Sequence, residues 1–296
     1  MMYRSMLFVP GQQASWVEKA TAAQPDAIIL DLEDAVPESQ KDLARVTVAS
    51  SIDAVHQRAR GDLSDVWVRP NAWESRRAGG DVEATVRPGL SGFVLPKVYG
   101  RDDVLRFDAL VSHCEIRSGL IENSIRLIPV LETAEAMAQC EEIAAASPRV
   151  ASLVAIAARD GDASRALRCG FTDDGLETLY LRSRALLASR AAHHQFALCG
   201  LWQEVRDLEG LTRFARREHT LGYDGQLVIH PSHVEPVHQV YTPSAQMIEL
   251  YEGLIEAFSV AEAEGKGAVE YRGQHVDRAH YQTARAIVER ARRGDT

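Results

Sequence analysis

Eight short apolar segments, separated by longer helix-like segments, are the feature that most constrains the fold of this chain. Alternation of strand and helix is typical of parallel strands joined by right-handed crossovers. Eight such units predict an α/β protein whose sheet closes into a (β/α)8 TIM barrel. The predicted strands are Ser5–Val9, Ala27–Asp31, Asp65–Arg69, Gly92–Pro96, Arg126–Leu131, Val150–Ala157, Gln195–Cys199 and Gly225–Ile229. The predicted helices include Ser15–Ala23, Ser39–His56, Ala134–Ala146, Asp174–Ala191 and Leu208–Leu221.

A doubly wound open sheet is the alternative architecture. The seventh predicted strand is short and mixed in polarity, so it is the weakest element of the barrel prediction. However, no GxGxxG motif follows the first strand, as it does in dinucleotide-binding open sheets. We therefore expect residues 1–243 to form the barrel.

The remaining residues, 244–296, predict a C-terminal helical extension. Apolar residues recur at helical spacing through residues 244–263, and an alanine- and arginine-rich helix is expected over residues 278–293. Between them, residues 264–277 carry three glycines and several charges, which favours a loop. The extension is not needed to close the sheet, so it packs on its own barrel or reaches a neighbouring subunit.

Composition excludes several classes of partner. The formal charge of −9 argues against a nucleic-acid or anionic-membrane surface. No apolar run approaches the roughly 20 residues that span a bilayer. The four cysteines, Cys114, Cys140, Cys169 and Cys199, lack metal-type spacing and are expected to be free thiols in a reducing cytoplasm.

Glu132 is the first candidate metal ligand. It follows the apolar strand Arg126–Leu131, and a polar residue at the carboxyl end of a barrel strand points towards the active-site mouth. The alternative is an acid in the first helical turn, stabilised by the helix dipole. An acid at the next strand end, Asp160 or Asp162, would complete a two-carboxylate site for an octahedral Mg²⁺ that keeps several waters, although an Asp-Gly turn is also common.

Other strand ends also carry charged side chains. The second predicted strand ends in Asp31, Glu33 and Asp34, which are expected to support the site, with Lys41 and Arg45 as partners. Arg69 ends the third strand, where its fork matches a carboxylate or an enolate oxygen, unless it forms a structural ion pair with one of these acids.

Three further positions leave alternatives open. Lys97 follows the fourth strand and would form a Schiff base only if its pKa were lowered. His230 follows the eighth strand and is a candidate substrate contact. The Pro10-Gly11 turn, with Arg4 near it in sequence, either approaches a ligand closely or is a plain tight turn.

Seven segments occur in the order seen in the HpcH/HpaI aldolase/citrate lyase family, which this chain resembles over nearly its whole length. The likeness is strongest to the CitE-like branch, which includes citrate lyase β subunits and malyl-CoA and citramalyl-CoA lyases. In chain order, the segments are RSMLFVPG, ILDLEDAV, VRPN, VLPKV, PVLETAEA, GYDGQLVIHPSHV and TPSAQ.

The resemblance implies a Mg²⁺-dependent (or Mn²⁺-dependent) carbon–carbon lyase that takes an acyl-CoA and releases a 2-oxo acid, and that assembles as a homotrimer or hexamer. By motif, Arg69 would hold the keto acid, and Glu132 would be one metal ligand. Aligning the family motif backwards from the better matched segment around Tyr180 places the second ligand at Asp162. Aligning it forwards from Val150 places that ligand nearer Asp160. Asp277 matches an aspartate that reaches a neighbouring subunit's site as an acid/base. The thioester phosphates are expected near Arg4 and the Pro10-Gly11 turn.

The chain departs from the family pattern at several positions. Arg159, Asp160 and Gly161 replace the residues before the metal aspartate, and Tyr99 replaces a glutamate. Gln226 replaces a lysine, and Cys199 replaces an aspartate. Two alternatives to the lyase therefore stay open: a 2-oxo-acid aldolase that uses no CoA, and a non-catalytic subunit with a degenerate site.

Overall fold

The structure is a computed structural model that describes residues 2–58, 65–155, 161–172 and 174–294. Eight parallel strands close into a barrel in sequence order, with β1 paired to both β2 and β8, which confirms the predicted TIM barrel. The strands are β1 (Ser5–Pro10), β2 (Ala27–Asp31), β3 (Asp65–Arg69), β4 (Leu90–Leu95), β5 (Arg126–Leu131), β6 (Val154–Ala155), β7 (Leu198–Cys199) and β8 (Gly225–Val228).

Ten helices accompany these strands within the described residues up to Tyr241. They are α1 (Ala14–Ala22), α2 (Lys41–Arg58), α3 (Ala78–Thr85), α4 (Arg101–Arg117), α5 (Ala134–Ala138), α6 (Cys140–Ala144), α7 (Asp162–Leu167), α8 (Leu176–Ala191), α9 (Leu208–Leu221) and α10 (Val234–Tyr241). No helix in the described part of the chain combines the length and apolarity needed to cross a membrane. The four cysteines are free.

Several predicted elements differ from the structure, and the seventh strand is shorter than predicted, Leu198–Cys199 in place of Gln195–Cys199. The predicted helix Ala134–Ala146 is divided at Gln139, which joins α5 to α6. The predicted strand Val150–Ala157 forms strand pairs only at Val154 and Ala155, with a single bridge at Val150, and its last two positions lie outside the described residues.

Alternation along the strands divides the core into two layers. Ile29, Trp67 and Val130 belong to the cluster inside the barrel, whereas Leu30 and Val68 pack with the surrounding helices. Side chains two positions apart on a strand share a face. Asp31, Arg69 and Glu132 lie two positions beyond Ile29, Trp67 and Val130, so all three continue the inward-facing rows at the carboxyl end of the barrel.

The chain divides into two compact units, Met1–Tyr241 and Thr242–Thr296. The second unit contains α11 (Ala245–Ala263), strands β9 (Ala268–Tyr271) and β10 (Gln274–Asp277), and α12 (Arg278–Gly294). A small apolar cluster that includes Leu254, Phe258 and Val276 holds it together.

The loop prediction for residues 264–277 was wrong, because β9 and β10 form an antiparallel hairpin. Arg272 and Gly273, which connect the strands, both have positive φ, at 50° and 79°. Two-residue hairpin turns of this kind need positive φ at both positions, and Gly273 meets that need without steric cost. The number of glycines suggested a loop, but one of them marks a tight turn.

Candidate active site

Arg69 and Asp31 form a two-pronged ion pair at the barrel mouth. Arg69 Nε donates to Asp31 Oδ1 at 2.7 Å, and Nη2 donates to Oδ2 at 2.6 Å. The guanidinium also stacks over the Phe8 ring, 4.9 Å from its centroid. Burial alone would lower the pKa of Arg69, but the Asp31 charge and hydrogen bonds outweigh it and raise that pKa, so the guanidinium stays charged. The structural ion pair considered from the sequence is therefore present.

Asp31 also holds the turn that follows β2. Its Oδ1 accepts from the Glu33 N–H at 2.9 Å, and its Oδ2 accepts from the Ala35 N–H at 3.2 Å. Lys41 was expected to pair with the acids, but its Nζ donates to two backbone carbonyls, of Leu32 at 2.8 Å and Glu33 at 2.6 Å. Lys41 therefore holds the backbone of this turn and makes no direct hydrogen bond to its carboxylates in the described residues.

Arg45 was also expected to pair with these acids, and that expectation was wrong. Its Nε donates to Asp81 Oδ1 at 2.8 Å. Asp81 Oδ2 accepts from the Asn71 backbone and side chain at 2.9 and 2.7 Å. Asp81 thus anchors the segment that follows Arg69, and Arg45 supports that anchor from α2.

Lys97 places an ammonium among carboxylates from different strand ends. Its Nζ lies 2.5 Å from Glu33 Oε1, 3.0 Å from Asp34 Oδ1 and 3.7 Å from Asp162 Oδ2. Burial acts to lower the pKa of Lys97, but hydrogen bonds to Glu33 and Asp34 outweigh it and raise that pKa. A Schiff-base lysine needs the opposite shift, so the structure argues against that chemistry.

Glu132 lies at the end of β5, and its side chain is nearly enclosed. Its Oε1 accepts from the Lys97 backbone N–H at 2.8 Å. Thr133 is the N-cap of α5, with its hydroxyl accepting from the Ala136 N–H, so Glu132 precedes the helix and is not a first-turn acid. Burial, together with the negative charge of Glu33, raises the pKa of Glu132.

Asp162 begins α7 and approaches the same cluster. Its carboxylate pairs with Arg165 one turn along the helix, and its other oxygen faces Lys97 Nζ. The competing ligand Asp160 and the neighbouring Arg159 lie outside the described residues. Lys97 therefore contacts both acids: its backbone N–H donates to Glu132, and its ammonium faces Asp162.

This donor set fits a hard divalent cation. Glu132 and Asp162 offer carboxylate oxygens, and buried Glu33 Oε2 has no hydrogen-bond partner in the described structure, although Arg69 Nη1 lies 3.3 Å away. Magnesium is held by oxygen ligands, commonly one or two carboxylates, while waters and substrate complete its octahedron. The described residues contain no group of three or more His, Cys, Asp and Glu side chains arranged for a metal.

A cavity of about 320 Å³ lies beside the carboxyl ends of β1 and β8. Trp16 and Lys19 of α1 line one side, and His230 lines another. His230 is fixed by a 2.7 Å hydrogen bond between its Nδ1 and the Ser232 hydroxyl. The sequence reasoning missed Trp16 and Lys19; the signal that could have found them is an aromatic and a cation, three residues apart, on the helix that follows Pro10-Gly11.

Arg4 does not belong to this site. It precedes β1, and its Nη2 pairs with Asp26, which precedes β2, at 2.7 Å. Both residues lie at the amino ends of parallel strands, opposite the end that carries Arg69. The expected substrate contact of Arg4 was wrong. Arg4 is close to Pro10 in sequence, but strand β1 separates them, so the two residues lie at opposite ends of the barrel.

Gly11 packs against protein rather than leaving open space. Its N–H donates to the Asp31 carbonyl at 2.8 Å. A Cβ at this position would lie 2.4 Å from that carbonyl oxygen and 2.7 Å from Val48. The close approach that requires glycine here is therefore to backbone and core, which favours the plain-turn interpretation.

Asp277 lies in the second unit, at the end of β10. Its carboxylate accepts from the N–H groups of Ala279 and His280, so it caps α12. The His280 ring lies 2.6 Å away and lowers the pKa of Asp277. Nearly half of the side chain is exposed, so the carboxylate is accessible.

Comparison with known proteins identifies the family. The model of the HpcH/HpaI aldolase/citrate lyase family matches residues 4–231. The chain is 32% identical to the citrate lyase subunit beta of Haemophilus influenzae over 98% of this chain and 97% of the relative. It is 31% identical to a (3S)-malyl-CoA thioesterase of Cereibacter sphaeroides (98% and 94% covered). It is 30% identical to the mitochondrial citramalyl-CoA lyase of Mus musculus (96% and 85% covered).

A solved structure agrees with these relatives. CitE from Mycobacterium tuberculosis, in complex with magnesium, acetoacetate and coenzyme A, superposes with a TM-score of 0.75. It is 28% identical, and 98% of each chain is covered. The barrel, the inward-facing strand ends and these similarities lead to one conclusion: the chain is an enzyme of the carbon–carbon lyase class and belongs to the HpcH/HpaI aldolase/citrate lyase family.

Proposed function

We propose that this protein is a Mg²⁺-dependent lyase of a 3-hydroxyacyl-CoA that bears a distal carboxylate, such as citramalyl-CoA or malyl-CoA. It would release a 2-oxo acid and a shorter acyl-CoA. The observation that carries the proposal is the meeting of Arg69, Glu132 and the Lys97-linked Asp162 at the carboxyl end of one barrel. The relatives named for CoA thioesters, and the CitE structure with magnesium and coenzyme A, support the same substrate class.

Glu132 and Asp162 would hold the metal, with Mn²⁺ as a substitute for Mg²⁺. When bound, the ion supplies positive charge that stabilises the alkoxide and polarises the emerging carbonyl. The chain's contribution is to fix the carboxylates that face it. The Lys97 N–H orients Glu132, and the start of α7 presents Asp162.

Arg69 would bind the carboxylate of the leaving 2-oxo acid and offset charge that develops on oxygen. Asp31 occupies its Nε and Nη2, so the guanidinium plane is fixed. Nη1 is 3.3 Å from Glu33, a looser contact, and is the nitrogen best placed to turn to a substrate oxygen. A fixed guanidinium loses little freedom when substrate binds.

The cavity beside β1 and β8 would take the coenzyme A portion. Lys19 offers an ammonium for a phosphate, and the half-exposed Trp16 offers an apolar surface for the pantetheine arm. His230 also lines this cavity and would contact the substrate there. This assignment replaces Arg4 with Lys19.

Asp277 of a neighbouring subunit would move the proton at the thioester α-carbon. In the cleavage direction the ionised Asp277 carboxylate would take the hydroxyl proton, the bond between the carbinol carbon and the α-carbon would break with its electron pair passing to the α-carbon, and Asp277 would return the proton to that carbon. The products are the 2-oxo acid and the acyl-CoA. The arrangement requires a homo-oligomer, and we propose a trimer or hexamer acting in the cytoplasm on small molecules.

A cleavage screen tests this function. Malyl-CoA, citramalyl-CoA and β-methylmalyl-CoA would each be incubated with the protein and Mg²⁺, and both the keto acid and the acyl-CoA would be quantified. The proposal expects equal amounts of the two products from at least one substrate, and loss of both in Glu132→Gln. Free CoA thiol without keto acid would instead reveal a thioesterase, as one relative is named.

Two other functions are separated by the same screen. Cleavage of a free 4-hydroxy-2-oxo acid, without CoA, would support the CoA-independent aldolase. No turnover of any substrate, together with no divalent-ion binding, would support a non-catalytic subunit.

A further inference from the structure

We propose that the Lys97 ammonium competes with the divalent ion for the carboxylates of this site. The inference rests on the proposed function, because it takes Glu132 and Asp162 as the ligands. It goes beyond that function by naming the residue of this chain that sets the affinity for the ion.

Lys97 touches both proposed ligands in different ways. Its backbone N–H donates to Glu132 Oε1 at 2.8 Å, which orients that carboxylate. Its Nζ lies 3.7 Å from Asp162 Oδ2, which is an ion-pair distance. One residue therefore orients the first ligand through its backbone and attracts the second through its charge.

The ammonium is surrounded by more negative charge than it can neutralise. Glu33 and Asp34 lie 2.5 and 3.0 Å from Nζ, in addition to Asp162. Arg69 is engaged mainly by Asp31, and Arg165 pairs with the far oxygen of Asp162. The cluster keeps a net negative charge that attracts cations, and Lys97 is the cationic residue that contacts both proposed ligands and that a dication must displace or face.

The backbone conformation at Lys97 does not favour lysine, so the contacts of its side chain must explain why lysine occupies this position. Its φ is +48°, in the left-handed region that glycine or asparagine adopts at lower cost. A lysine in this conformation is strained relative to glycine. Its three carboxylate contacts offset that strain and require an ammonium.

The competition follows from Coulomb's law. An ammonium and a dication a few ångströms apart repel each other strongly, even with the screening found near protein surfaces. The Lys97 side chain is about a quarter exposed, so it can swing towards water, but it must then leave Glu33. Binding of the ion therefore costs the free energy of these ion pairs, and removing the ammonium should strengthen binding.

The test is a Mn²⁺ titration of the full-length protein without substrate, with free Mn²⁺ followed by electron paramagnetic resonance. Lys97→Met and Lys97→Gln both remove the charge, so either one serves if the other fails to fold. We expect the Kd for Mn²⁺ to fall by about tenfold or more in these variants. Lys97→Arg keeps the charge and should stay near the wild-type Kd.

The matched control is Lys266→Met, which removes another lysine paired with a carboxylate, Glu264, at 2.7 Å. It should leave the Kd unchanged. If the Kd for Mn²⁺ in Lys97→Met or Lys97→Gln is equal to that of wild type, or higher, the inference is overturned.

The same data separate this inference from the proposed function. Tighter Mn²⁺ binding in the charge-removing variants, without any acyl-CoA cleavage by wild type, would uphold the competition and reject the lyase. No Mn²⁺ binding by wild type or either charge-removing variant would reject both.

Discussion

Arg69 donates to both carboxylate oxygens of Asp31, so neither side chain can leave the barrel mouth without breaking two charged hydrogen bonds. The two residues are register partners on adjacent strands, and Asp31 is almost completely buried. The pair therefore joins the stability of the barrel to the orientation of the proposed substrate-binding guanidinium.

Asp31→Asn should reduce both stability and activity. It removes the charge that compensates a buried guanidinium, and breaking such a pair costs about 3 kcal/mol. Urea unfolding measures the loss of stability, and acyl-CoA cleavage measures the loss of activity. Asp102→Asn, at an exposed position on α4, is the control and should change neither. An Asp31→Asn protein as stable as the control would mean that the pair contributes little.

Asp277→Asn separates catalysis from helix capping. Asparagine caps helices about as well as aspartate, whereas alanine costs about 1 kcal/mol. We expect both Asp277→Asn and Asp277→Ala to lose cleavage activity, and only Asp277→Ala to lose thermal stability. Retained activity in the asparagine variant would remove Asp277 from the proton-transfer step.

Mixing inactive variants tests whether Asp277 acts across subunits. Glu132→Gln subunits keep Asp277, and Asp277→Asn subunits keep Glu132. If each site combines the two residues from different subunits, reassembly of an equal mixture should restore about a quarter of wild-type activity. A mixture that stays inactive, after subunit exchange has been verified by mass spectrometry, would contradict the shared site.

The ion pair between Glu115 and Arg149 should make the stability of the barrel depend on pH in the acid range. Both side chains are fully buried, and Arg149 Nη2 donates to Glu115 at 2.6 Å. Burial acts to raise the pKa of Glu115, but hydrogen bonds from Arg149 and from backbone N–H groups outweigh it and lower that pKa below 4.5. A lowered pKa stabilises the fold above pH 4.5, and this contribution is lost as the pH falls through the folded-state value.

Glu115→Gln should therefore destabilise the protein by about 3 kcal/mol at pH 7 and by less in acid. Urea unfolding at a series of pH values measures both differences. Glu122→Gln, at an exposed position in the loop before β5, should match wild type throughout. A Glu115→Gln penalty that stays constant from pH 7 into the acid transition would contradict the linkage.

Gln226 is a buried amide whose nitrogen and oxygen both lack hydrogen-bond partners in the part of the chain that the structure describes. It is the register partner of Cys199, and both are almost completely buried. An unsatisfied buried polar group costs about 1–3 kcal/mol. Gln226→Met, of similar size, should therefore raise the free energy of unfolding by about 1 kcal/mol. Gln246→Met, at the exposed start of α11, should leave the free energy of unfolding unchanged. Equal changes in the two variants would contradict the cost assigned to the buried amide.

The sequence predicted the parts of the site that depend on strand register. Glu132 and Arg69 end apolar strands, so the inward-facing rows of a parallel barrel place them at one mouth. The contacts of Lys41 and Arg45 were not predictable in the same way, because long side chains on a helix reach either carboxylates or backbone carbonyls. The prediction for Arg4 was wrong because the Pro10-Gly11 turn, although near in sequence, lies at the opposite end of β1.

The turn at Lys97 was the largest feature that the sequence did not reveal. Positive φ is uncommon for lysine, so nothing in the pattern VLPKV indicates that the ammonium turns back towards the β2 acids. The cavity lined by Trp16 and Lys19 was missed for a related reason: it depends on how α1 packs on β1, near the segment that follows β8. Both features arise from tertiary contacts between segments distant in sequence.

The central claim is that Glu132 and Asp162 hold one divalent ion. The most direct measurement is an anomalous difference map from a crystal of the protein grown with Mn²⁺. The account predicts a single strong peak at about 2.1 Å from one oxygen of each carboxylate, as expected of octahedral oxygen coordination. A peak bound to Asp160 in place of Asp162, or a peak remote from Glu132, would contradict it.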